Sequence, residues 1–268
     1  MDFSMYFTQL SVGCLGLAPL VPWRSVGKGY YVMMLCIGLG LLPVGWFFRA
    51  SSAGPGFPAF GTDADGVVNL LLAAYGVAGA LALLAFWYGT GAAGHRLTLL
   101  AAGLGWAAVA ADGVRMATLP HQPPLSPAAS GPLLAVNYAA GALLLGSVLS
   151  AMLLGHWYLV VKDLPVAPLK TLTFLLFGSL ALRAAATAAA FLLDSPGGSR
   201  VVDRSFLFVL VYGLFSLGTP MAMSWMVWGT VKIRSTQAAT GILYGVTAFI
   251  LMGEAAARFV LLRTGFPL

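Results

Sequence analysis

The sequence predicts an all-α, polytopic membrane protein of about eight transmembrane helices, and three observations predict it. The 268 residues are 60% hydrophobic and only 8% charged. A soluble domain carries about 25% charged residues, so this chain lacks the polar surface to face water. Apolar runs long enough to cross a ~30 Å hydrocarbon core recur along the whole length. The charged residues gather mainly in the breaks between those runs.

The runs are taken in order. The first, 4–22, follows Asp2 and precedes Arg24, without a basic leader or a small-residue cleavage site. It reads as a retained helix rather than a cleaved signal peptide. The second, 29–48, lies between Lys28 and Arg49, and the third, 67–90, opens near Asn69 and ends before His95-Arg96. The fourth, 97–118, stops at the Pro-rich stretch Pro120-His121-Gln122-Pro123-Pro124. The fifth, 131–161, is long enough to tilt or to project beyond the bilayer. The sixth, 166–193, ends at Asp194. The seventh, 205–230, contains Pro220 after Gly218, a pair suited to a kink. The eighth is 236–262. All eight belong to a single integral membrane domain, 1–268.

The connections alternate in character. Arg24 and Lys28, Arg96, Lys162 and Lys170, and Lys232 and Arg234 mark one set. The other set carries mixed charge: Arg49 with Asp63 and Asp65, then Asp194, Arg200, Asp203 and Arg204. It also holds Pro55-Gly56-Phe57-Pro58. By the positive-inside rule the short basic loops are cytoplasmic, and both termini face outward from the inner (cytoplasmic) membrane. A formal charge of +6 scattered over segment ends does not describe a nucleic-acid surface. Cys14 and Cys36 sit inside apolar runs and form no disulfide framework or metal spacing. Tyr88-Gly89-Thr90 before His95-Arg96 resembles Trp228-Gly229-Thr230 before Lys232 and Arg234, at an offset near half the chain. Two readings stand: a duplication with units 1–130 and 131–268, or chance recurrence of abundant residues.

Ionisable groups inside a bilayer are costly, about 2.5–3.5 kcal/mol each on insertion scales, so each asks for a partner or a function. Asp112 and Arg115 lie in the fourth run, Arg183 in the sixth, Glu254 and Arg258 in the eighth. Asp112, Arg183 and Glu254 fall about 20–25 Å above the cytoplasmic side of a ~30 Å core. Asn69 and Asn137 start their helices near the same level. Asp112 with Arg115 is an i,i+3 pair and Glu254 with Arg258 an i,i+4 pair, so each acid shares a helix face with its arginine. These seven residues form a candidate layer near the outer face, for a quinone head group or for protons. The alternative is an ion-paired network that only holds helices together.

Near the cytoplasmic side, His156 follows glycine and precedes Trp157-Tyr158, and the seventh run brings Met221, Met223 and Met226 to a similar depth. An imidazole with a thioether is the donor set of some haem b and Cu(I) sites. Packing methionines and a hydrogen-bonded histidine explain the same residues. No P-loop, nucleophile elbow or zinc-protease motif is present, which points away from a stand-alone enzyme. The first function expected is therefore a membrane subunit of a respiratory or electron-transfer assembly, with other protein subunits docked on it. The alternatives are a small-solute, ion or copper transporter and a structural or assembly subunit.

Overall fold

Alternating runs of apolar residues and short breaks fold into a bundle of helices in which sequential neighbours pack against each other. The computed structural model describes residues 3–52, 60, 63–118, 131–161 and 164–268. His121, Lys162, the 55–58 stretch and the 120–124 stretch lie outside the described residues. The elements are α1 (Ser4–Leu17), a 3₁₀ turn (Ala18–Leu20), the single turn α2 (Trp23–Val26), α3 (Lys28–Ser52), α4 (Ala64–Trp87), α5 (Gly91–Thr118) and α6 (Gly131–Val160). Then follow α7 (Ala167–Leu193), α8 (Ser195–Tyr212), a π-helical segment (Gly213–Gly218), α9 (Thr219–Lys232) and α10 (Thr236–Thr264). The chain is all-helical, with no strand among the described residues.

Among the described residues, seven helices are long and apolar enough to cross a membrane, counting α8, the π segment and α9 as one. The first of the eight expected runs is the exception. Pro19 and Pro22 stop α1 after 14 residues, a rise of about 21 Å that falls short of the ~30 Å core. Every α1 residue except Phe7 is nevertheless buried. The helix is a central strut against α3, α5 and α6 rather than a peripheral span. Its crossing with α6 is close because both helices present glycine. A Cβ on Gly13 would strike the Gly146 backbone, and one on Gly146 would strike Gly13.

Three boundaries depart from the sequence expectation, each for a local reason. The last turn of α3 reaches Ser52 and α4 begins at Ala64, so Arg49 and Asp65 belong to helices and not to a loop. The residues after Asp194 are helical too: Asp194 caps α8 by accepting from the Gly197 amide (2.9 Å), and Pro196 sits in the first turn. His95 lies inside α5 with its ring against Tyr31 (5.9 Å), not in a turn. In the compared motifs, Tyr88-Gly89-Thr90 forms the turn between α4 and α5, with Gly89 at φ 83°, whereas Trp228-Gly229-Thr230 is inside α9.

The sequence expectation of a kink at Pro220 takes a specific form. A proline at that position lacks the N–H that would bond the carbonyl one turn earlier. The backbone responds with the π-helical segment Gly213–Gly218, which ends just before Pro220 in the first turn of α9. Up-and-down helices place the described carboxylates (Asp63, Asp65, Asp112, Asp194, Asp203 and Glu254) toward one end of the bundle, the mixed-charge end. Arg24, Lys28, Arg96, Lys170, Lys232 and Arg234 occupy the opposite, basic end.

Candidate functional site

The candidate layer resolves into two buried clusters at the mixed-charge end. The first joins α3, α4 and α5. Arg49 Nη1 meets Asp112 Oδ1 at 2.9 Å and Arg49 Nε donates to Asn69 Oδ1 at 2.7 Å. Arg115 Nε meets Asp112 Oδ1 at 2.7 Å, closing the i,i+3 pair expected from the spacing. Asp65 Oδ1 then accepts from Arg115 Nη1 (2.9 Å) and Arg49 Nη2 (3.4 Å). Two arginines thus face two aspartates, and the charges balance. The Asp65 side chain is 45% exposed, so this ring has a wet edge.

The second cluster joins α7, α10, the π segment, α6 and α1. Arg183 Nε meets Glu254 Oε1 at 2.9 Å, and Arg258 Nη2 meets Glu254 Oε2 at 3.4 Å, the expected i,i+4 pair. Ser216, carried by the π segment, donates its hydroxyl to Glu254 Oε1. Arg258 also donates to Gln9 Oε1 (3.1 Å) and Asn137 Oδ1 (3.2 Å). Asn137 in turn donates to the Leu268 carbonyl at 3.1 Å. Arg183, Glu254 and Arg258 are buried to 1% exposure or less.

This second cluster differs from the first in charge. Two guanidiniums share one side-chain carboxylate, so among the described side chains of this cluster positive charge exceeds negative by one. Moreover, Arg183 Nη1 and Nη2 have no hydrogen-bond partner among the described residues. The face of Tyr212 lies 5.4 Å from the Arg183 guanidinium carbon, and Tyr212 is held by Thr187 on the same α7 face as Arg183. A cation over a ring face recovers part of the lost solvation, but it does not use the N–H donors.

Small residues make these approaches fit. A Cβ on Gly141 of α6 would collide with Arg258 Nη2 and come within 3.1 Å of Glu254 Oε2. A Cβ on Gly253 would run into the Ser216 backbone, so this glycine lets the π segment lie directly on α10. A small cavity of about 50 Å³ touches Asn137, walled by Ala186, Ala189 and Ala190 of α7 and by Pro267. That is room for roughly one or two waters.

Of the residues expected to share one layer, Asn69, Asp112 and Arg115 therefore meet in the first cluster. Asn137, Arg183, Glu254 and Arg258 meet in the second. No ion pair among the described residues joins the two. The Tyr138 ring lies 5.3 Å from the Arg258 guanidinium carbon. Sequence reasoning missed Arg49 and Asp65, placed in a loop, and also Gln9, Ser216 and Tyr212. The last three carry no charge and stand out only once the helices are packed.

The inner candidates are not brought together. His156 is exposed on the flank of α6, where Nδ1 contacts Tyr244 Oη at 2.9 Å. Met221 and Met226 are 40% and 58% exposed on α9, and Met223 packs on Gly245 of α10. Met221 and Met226 point outward from the bundle because α9 has only one face against α7 and α10, whereas Met223 packs inward. No group of three or more His, Cys, Asp or Glu converges among the described residues. No known family model matches the sequence, and no curated protein or solved structure shows a detectable match.

Proposed function

We propose that the chain is a membrane subunit of a respiratory or electron-transfer assembly, and that its second buried cluster handles a quinone head group and the protons that go with it. The supporting observation is the surplus guanidinium: Arg183 is fully buried, shares a carboxylate with Arg258, and has two N–H-bearing nitrogens without partners among the described residues. A carbonyl oxygen is the acceptor those donors lack, and a quinone carries two. The π segment is the element able to give way beside Arg183, since π turns are single-turn irregularities that recur at functional sites. On this reading the chain lies in the inner membrane with both termini outside, and partner subunits dock above the mixed-charge end.

The test is purification in mild detergent, followed by organic extraction and chromatographic measurement of quinone per protein. The wild type retains quinone and Arg183→Gln loses it. A wild type that carries none, although the source membranes contain it, contradicts the reading.

One observation favours a second reading. The interrupted α8–α9 span, with Gly213–Gly218 as a π segment beside buried charge, resembles the discontinuous helices that build transporter sites. Uptake of a solute or ion by the purified protein in liposomes separates the two.

A further inference from the structure

A second polar feature lies at the basic end, remote from both clusters. Trp23 and Arg24 of the α2 turn face the Gly89-Thr90-Gly91 turn and Arg96 of α5 across an open depression of about 830 Å³. Arg24 and Arg96 are exposed, and neither forms an ion pair among the described residues. The described carboxylates all lie toward the opposite end of the bundle, so no described acid can act as their counter-charge. The Trp23 indole is fixed against Gly91, where a Cβ would come within 2.8 Å of the ring, and edge-on to Phe86 at 6.5 Å. It also carries the Arg24 guanidinium carbon 5.5 Å from its centroid. Gly91, Ala92 and Ala93, the first residues of α5, line the same depression.

We propose that this depression binds the phosphate group of an acidic phospholipid. The ends of membrane-spanning helices sit at headgroup level, where indole rings settle and phosphates supply the anions. Two guanidiniums flanking an indole give a phosphate both its counter-charge and a wall for the glycerol and first acyl carbons. This site is independent of the role of the buried clusters.

The experiment is native mass spectrometry of the detergent-purified chain titrated with phosphatidylglycerol, with phosphatidylcholine as the neutral arm and millimolar inorganic phosphate as the free-anion arm. In Arg24→Gln/Arg96→Gln the phosphatidylglycerol affinity falls roughly thirtyfold. In Lys170→Gln/Lys232→Gln, which removes the same charge from the same end, it changes little. The charge-keeping pair Arg24→Lys/Arg96→Lys retains most of the binding, which distinguishes a lost site from a lost fold. Equal losses in the two glutamine pairs, or phosphatidylcholine binding as well as phosphatidylglycerol, overturns the site. Displacement of the lipid by inorganic phosphate overturns the lipid as its occupant.

Discussion

Replacing Glu254 by Gln removes the one carboxylate that Arg183 and Arg258 share, without changing the volume of the side chain. Arg183 and Arg258 keep their positions, at 0% and 1% exposure, with no acid left among their described neighbours. Breaking a buried pair by deleting one partner costs about 3–5 kcal/mol, because the remaining charge stays desolvated. Here two charges are stranded by one change, so the upper part of that range is expected. Asp65→Asn in the first cluster is the matched control. Asp65 also touches two arginines, but it is 45% exposed and Asp112 remains between them, so the expected cost is at most about 1 kcal/mol. Unfolding in mixed micelles with increasing SDS, followed by tryptophan fluorescence, reads both. Arg183→Gln/Glu254→Gln should be more stable than Glu254→Gln alone, since it removes one of the stranded cations. If Glu254→Gln is as mild as Asp65→Asn, the second cluster is not the tight, charge-unbalanced site described above.

Further outcomes follow from the same geometry. Gly141→Ala should cost about 1–3 kcal/mol by pushing the Arg258 guanidinium off Glu254, measured in the same micelle titration. Ser216→Ala leaves both arginines on Glu254 and removes one hydroxyl donor, so about 1 kcal/mol is expected, with the quinone content lowered less than by Arg183→Gln. His156→Ala, and Met221→Leu with Met226→Leu, should leave both stability and any absorbance spectrum unchanged within error. These side chains face outward, and the contact of His156 among the described residues is the Tyr244 hydroxyl.

The membrane class and the two helical ion pairs were legible in the sequence because they depend on local quantities. Run length gives a span, and the spacings 112/115 and 254/258 place each acid on the face of its own arginine. The division into two clusters was not legible. Depth along a helix can be counted from its ends, but the direction a residue faces depends on neighbours distant in the chain. Thus Arg183 meets Glu254 across 71 positions and Arg258 meets Gln9 across 249.

Arg49 and Asp65 were assigned to a loop because charges commonly mark the end of a hydrophobic run. In the structure their mutual neutralisation allows α3 and α4 to continue past that point. A usable signal existed for α8, in the succession Asp194-Ser195-Pro196 that caps a helix and supplies proline to its first turn. The shortness of α1 was likewise written in Pro19 and Pro22. Its central place was hidden, since a helix buried on all sides and a lipid-facing one read alike in hydropathy.

Arg183 holds donors with no protein acceptor among the described residues. An experimental density map of the protein in a lipid nanodisc, at a resolution that shows ordered water, tests it most directly. Non-protein density is expected within about 2.7–3.2 Å of Arg183 Nη1 or Nη2, from a ligand oxygen or an ordered water. Both nitrogens bonded to protein acceptors, with no such density beside them, would contradict it.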